Sequence, residues 1–225
     1  MAQLNGLPGR VTENYLPGYR RNTLEEDPRV KVLFKDLSHE PGMASGIPDH
    51  RLRLLLVCAH PAIDSSMHSA LMLQLVFGID AARIANIFLR SPSALGKRLV
   101  RAKAKIRDAH IPLIEPESAD LRPRIDSVLE SIYGLYTING QSAFGPDRDD
   151  LADEAVYLAQ LLAQCLPDDA EALGLLALIL FREARRNAQV DLDGVYVPLK
   201  EQDTRLWNAD QIVLAEEVLI PICIQ

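Results

Sequence analysis

Aromatic residues are scarce in this chain: Phe, Trp and Tyr together make up 5% of its 225 residues. A core with so few rings must be aliphatic, and aliphatic side chains at helical spacing suit helix-on-helix packing. Cysteine is scarcer still. Cys58, Cys165 and Cys223 lie far apart and form no CxxC pair. That argues against a disulfide framework and a zinc ribbon, and for a reducing compartment. No apolar run approaches the ~20 residues that a membrane span needs. The amino terminus also lacks the shape of a signal peptide. A cytoplasmic protein that does not engage a membrane is expected. Wholesale disorder is excluded by the 48% of hydrophobic residues, which can bury a real core.

Composition shifts along the chain suggest three parts: an arm or linker (1–46), a helical domain (47–112) and a second helical domain (113–225). The arm is rich in Gly, Pro, Asn and charge, and only Val30–Leu37 has the spacing of a short amphipathic turn. From Ile47 four helices are expected. Asp49 caps the first, which Pro61 closes. Ser65 or Ser66 opens a second that runs through Phe77 to a stop at Gly78. Asp80 caps a third, with Ile84, Ile87 and Phe88 inward. Ser91 caps a fourth with Pro92 at its first position, where a missing N–H costs nothing, and this helix runs to about Asp108. Pro112 and Pro116 then form a linker. In the second domain helices are expected over Leu121–Tyr136, ended by Asn139-Gly140, and over Asp150–Cys165, Ala170–Arg186 and Asn208–Leu219. The run Leu173–Leu180 is apolar nearly all round and should be buried. Asp193-Gly194 between alternating apolar residues signals one small β-hairpin within Gln189–Leu199. The fold class is therefore all-α, a helix-turn-helix domain followed by a second helical domain with one hairpin.

Net charge is −7, yet its distribution matters more than its sum. Between Arg90 and Arg107 stand Arg90, Lys97, Arg98, Arg101, Lys103, Lys105 and Arg107, with no acid among them. Acids gather afterwards, from Glu115 to Glu154. On the fourth helix Leu95, Leu99, Ala102 and Ile106 fall on one narrow stripe, which should pack inward. Lys97, Arg98, Arg101 and Lys105 fall on the remaining surface. Ser93 and Ala94, both small, sit near the helix start and leave room for base edges. A recognition helix is built this way: its amino-terminal end enters the major groove and basic residues further along hold phosphates. Arg90, Ser93, Ala94, Lys97, Arg98, Arg101 and Lys105 are accordingly the expected DNA-facing residues. The small Ala85, beside Ile84, lets the preceding helix cross closely, and a turn at Leu89-Arg90 fixes the crossing. Gly96 costs this helix roughly 1 kcal/mol relative to Ala, which reads equally as room for close approach of a partner or the DNA backbone or as an unselected loss.

Ile84-Ala85, Leu89, Arg98-Leu99-Val100-Arg101-Ala102-Lys103 and Ile106-Arg107 resemble region 4 of bacterial extracytoplasmic-function sigma factors, members of the sigma-70 family. Ile47-Pro48-Asp49-His50-Arg51-Leu52 and Cys58-Ala59-His60-Pro61-Ala62 resemble the entry to that region in a subgroup with a long carboxy-terminal extension. Downstream, Glu171-Ala172-Leu173-Gly174-Leu175, Ala184-Arg185-Arg186, Asp191-Leu192-Asp193-Gly194, Gln202-Asp203 and Trp207 continue the likeness, which covers Ile47 to Leu219. The resemblance implies a transcription-initiation protein whose partners are the promoter −35 element and core RNA polymerase. The chain departs from the family in several places. Residues 1–46 are too short for region 2, which in the family melts the promoter, so a fragment of a longer product or a degenerate paralogue is implied, not competent alone for melting. Arg83 stands where the family carries an acid, and the stretch near Ile138-Asn139-Gly140 is altered. By sign alone, the acidic carboxy-terminal domain could also fold back on the basic helix as an intramolecular mask, which leaves a protein-interaction module as the alternative.

Other features carry less. Cys58 and His60 supply only two ligands at close spacing with no second pair, so burial of Cys58 and a helix-end role for His60 are the favoured readings. Gly96-Lys97 lacks the preceding glycine of a phosphate loop. Asp191-Leu192-Asp193-Gly194 lacks the closing glutamate of a calcium loop. Trp207 reads as a core residue closing the second domain, and Glu171 reads as a buried partner of Arg185 or Arg186. No nucleophile has an adjacent base, so neither catalysis nor a cofactor or metal is expected.

Overall fold

A computed structural model of the chain describes residues 49–108, 118–142, 151–191 and 193–223. The expected arm, the Pro112–Pro116 linker and Leu192 lie outside the described residues.

Among the described residues the architecture is helical: α1 (His50–Cys58), α2 (His68–Leu75), α3 (Ala81–Ile87), α4 (Pro92–Asp108), α5 (Ser118–Ser142), α6 (Leu151–Cys165), α7 (Ala170–Glu183) and α8 (Ala209–Cys223). Local chemistry sets most boundaries. Asp49 caps α1, its carboxylate accepting from the Arg51 and Leu52 N–H groups at 2.7 and 3.2 Å. Asp80 does the same for α3, accepting from Ala82 and Arg83. Asp169 opens α7 through the Ala172 N–H, and Asn208 opens α8 through that of Gln211. The second helix starts differently from expectation. Asp64, and neither serine, is the cap; it opens a 3₁₀ turn over Ser65–Met67, and the α-helix begins only at His68. Gly78 takes φ +67, and the Ile79 N–H turns back to the Leu73 carbonyl at 3.0 Å.

Three further segments differ from expectation. Asn139-Gly140 does not end α5, which continues to Ser142. Buried Leu135, Tyr136 and Ile138 anchor that end, so tertiary packing outweighs the low propensity of one Asn-Gly pair. Within Leu173–Leu180, Leu173, Leu176, Ala177, Ile179 and Leu180 are buried, Gly174 and Leu175 are half-buried, and Leu178 is 46% exposed. In the expected hairpin no strand forms among the described residues, and Val190 and Tyr196 make an isolated antiparallel bridge. Asp191 accepts from both the Asp193 and Val195 N–H groups (2.9 and 2.8 Å), and Gly194 sits at φ +80, so the segment turns within a few residues.

The centre of the molecule is α5, which packs on α1, α2, α3, α6 and α7, while α8 covers α7. One continuous apolar core runs from Leu52 on α1 to Val218 on α8. It includes fully buried Leu55, Leu71, Leu73, Ile132 and Leu158, each contributing on the order of 2 kcal/mol by burial. Gly134 on α5 permits the close crossing with α2: a Cβ there would stand 3.3 Å from the Leu73 Cδ1. Polar contacts tie the same halves together. His68 on α2 lies 3.1 Å from the Ser127 Oγ on α5 and 3.1 Å from the Ile63 carbonyl. Arg124 donates to the Leu56 carbonyl at 3.1 Å, satisfying the end of α1. At the start of α1, Arg51 pairs with buried Glu154 on α6 and lies over the Tyr157 ring, whose hydroxyl donates to Asp49 at 3.2 Å.

Candidate nucleic-acid interface

The seven expected DNA-facing residues fall on α4 and the turn before it. Helix α3 buries Ile84 and Ala85 completely and ends in a hydrogen-bonded turn. The Arg90 N–H reaches the Ala85 carbonyl at 2.8 Å and the Leu89 N–H that of Asn86 at 3.4 Å. This pair of bonds is the Schellman pattern, whose left-handed position glycine usually fills. Here Leu89 fills it, at φ +49 and 93% exposed. Pro92 then begins α4, and the Leu95 N–H closes the first turn onto the Ser91 carbonyl at 2.9 Å.

Helix α4 buries one side and exposes the other. Leu95, Leu99 and Ile106 are buried and Ala102 is half-buried, so the expected aliphatic stripe is the inward side. It rests on α3, α2 and the 3₁₀ turn. Arg90, Ser93, Ala94, Lys97, Arg101 and Lys105 are all exposed, and among the described residues Lys97, Arg101 and Lys105 make no ion pair. Arg98 differs. It is half-buried and turned back onto the 3₁₀ turn, its Nη2 2.6 Å from the Ser66 Oγ and 3.3 Å from the Asp64 Oδ2. Val100 was not among the expected residues, yet it is 64% exposed one turn beyond Lys97. The signal was available: three residues on from Lys97 and seven from Ser93, it had to share their side of the helix. Among the described residues nothing beyond its own helix stands within 4 Å of where a Gly96 Cβ would be, so none of them needs a glycine there.

The remaining singled-out residues are structural. Cys58 is buried, and desolvation pushes its thiol up to about 12, which removes the thiolate that metal binding or redox chemistry needs. His60 accepts the Ala62 N–H at 3.1 Å just past α1. Glu171 is exposed; Arg186 pairs with Asp153 at 3.0 Å and with Glu183, which also accepts from the Tyr136 hydroxyl at 2.8 Å. Burial is the main reason the Glu183 carboxyl lies above its ordinary range. Trp207 is half-buried outside the main core, while Arg205 is held by Asp203. Among the described residues no group of three or more His, Cys, Asp or Glu could hold a metal ion. Nor is any helix there long and apolar enough to cross a membrane.

Residues 124–220 match a family described as a family of unknown function, DUF6596. That stretch runs from α5 into α8 and leaves α3 and α4 outside it. A protein of Rhizobium meliloti (strain 1021), itself described as uncharacterized, is 38% identical over 169 residues, covering 74% of this chain and 40% of that protein. The chain thus spans well under half the length of the relative it matches. No solved structure matches.

Proposed function

We propose that the chain is a DNA-binding transcription protein resembling an RNA polymerase sigma factor, in which α3 and α4 form a helix-turn-helix that recognises a promoter −35-like element. The observation that carries this reading is the division of α4 into a buried aliphatic side and an exposed side bearing Lys97, Arg101 and Lys105, with no acid on the helix before its last residue, Asp108. On DNA such cations displace condensed counterions, and the release drives binding. Ser93 and Ala94 stand at the end of α4 that would enter the major groove. Ala94 and Val100 offer apolar contact to thymine methyl groups, and Ser93 offers a hydroxyl to a base edge. The acidic character of the chain after α4 repels phosphate and leaves this face as the favoured approach. Core RNA polymerase is the protein partner, and promoter melting would need a further region.

A gel shift comparing −35-like with scrambled duplexes tests the reading. A specific complex that weakens steeply with salt supports it. Tight binding to core polymerase with no DNA affinity at any salt contradicts it and favours the second reading, a protein-interaction module that binds polymerase or masks α4. One observation speaks for that alternative: Val195, Tyr196, Leu199, Leu206, Val213 and Ile220 in the carboxy-terminal third are each more than half exposed, and exposed apolar groups in number mark protein contacts.

A further inference from the structure

We infer that Arg98 is a positioning residue, clamped by the Asp64–Ser66 turn so that it sets the roll of α4 about its own axis and does not itself neutralise a phosphate. The inference rests on the reading of α4 as the DNA-facing helix, and it divides the basic residues of that helix into two kinds.

Lys97, Arg101 and Lys105 are exposed, and their charges face solvent. The Arg98 guanidinium is instead held at two points, the Ser66 hydroxyl at 2.6 Å and the Asp64 Oδ2 at 3.3 Å. Those partners are themselves fixed. The other Asp64 oxygen accepts from the Ser66 N–H at 3.0 Å and from the Ser66 Oγ at 2.8 Å. The Ser66 hydroxyl therefore donates to Asp64 while accepting from Arg98, and the three side chains close a ring of hydrogen bonds. The bonds from Ser66, with the Arg98 charge adding to them, hold the Asp64 carboxyl below its ordinary range.

The place of this ring on α4 gives it a use. The helix rests on the rest of the protein through Leu95, Leu99 and Ile106, and aliphatic contacts are non-directional, so alone they resist rolling poorly. A planar guanidinium held at two points is directional. Arg98 adjoins both Lys97 and Leu99, so fixing its side chain to the 3₁₀ turn fixes the direction in which Ser93, Lys97 and Arg101 point. For Arg98 to reach a phosphate it would have to break both bonds and leave the exposed Asp64 carboxylate without its cation beside the DNA.

Affinity for a −35-like duplex, measured against salt for the whole chain, tests this, with thermal unfolding as the check on folding. Lys97→Ala should lower the slope of log K against log salt by ~0.9. Arg98→Ala should weaken binding by up to about fivefold, the upper end of the range of exposed ion pairs, with the slope unchanged. Asp64→Asn removes a negative charge, yet it should also weaken binding. Ser66→Ala, which alters no charge, should act in the same direction, and Asp64→Glu should restore most of the loss. A slope that falls for Arg98→Ala as it does for Lys97→Ala overturns the inference. So does tighter binding by Asp64→Asn, which would make Asp64 a competitor of the DNA, or unchanged binding by both turn variants. Wild-type protein without salt-dependent DNA affinity would remove the functional reading itself, before any variant is compared.

Discussion

Leu89 is the residue that local rules fit least. A leucine in the left-handed region costs about 1–2 kcal/mol, and at 93% exposure its side chain recovers little by packing. Leu89→Gly should therefore raise stability by about 1 kcal/mol, less the extra chain entropy that glycine loses on folding. The measurement is chemical denaturation, and a loss of stability would mean that Leu89 packs on something beyond the described residues. His68 gives a second prediction, in pH. Burial of its ring lowers its pKa below the ordinary 6.5, so the unfolded chain takes up the proton first as pH falls. Stability is then present above about 6.5 and is lost progressively as pH drops toward the lower folded value. His68→Asn should flatten that part of the profile. A wild-type profile as flat as the variant's between about pH 7 and about pH 5 would contradict the assignment.

At the level of elements, α4 was the most legible part of the chain. Its period, its Ser91-Pro92 start and the freedom of Arg90–Arg107 from acid were all in the sequence, and the structure buries Leu95, Leu99 and Ile106 as that period requires. What the sequence hid came from tertiary partners. Arg98 reads as one more cation until Asp64 and Ser66, more than thirty residues away, are seen to hold it. Asn139-Gly140 reads as a break until Leu135 and Ile138, one turn apart on the same face, are seen to be buried in a continuing helix. Glu183 was passed over for Glu171 because spacing alone does not say which acid faces Arg186. Gly96 is open to test at this scale. Among the described residues no atom beyond its own helix stands within 4 Å of its missing Cβ, so Gly96→Ala should stabilise α4 by about 1 kcal/mol and leave DNA affinity unchanged. A gain in melting temperature joined to a loss of affinity would place the DNA backbone against Gly96.

Across the whole molecule, the two helical parts expected from composition share one core. Leu71, Leu73 and Ile84 lie in the same apolar cluster as Ile132 and Leu158, and α5 packs on helices from both parts. A fragment of residues 47–112 would expose the α2 surface that Gly134 and its neighbours cover. Such a fragment should lack a cooperative thermal transition, whereas the full chain should melt in a single step. Two well-separated transitions in the full chain would contradict that. Binding sites on the carboxy-terminal part would accordingly be coupled to α4 through packed helices, and removing α5 is no clean way to ask whether the acidic part masks the basic helix. The most direct test of the account is the salt dependence of DNA binding by the Lys97→Ala/Arg101→Ala double variant, followed by fluorescence anisotropy on a −35-like duplex. The account predicts a log–log slope shallower than wild type by ~1.8, twice the ~0.9 of one phosphate contact, with the melting temperature unchanged. A slope equal to that of wild type would mean that DNA, if bound at all, is held by another surface.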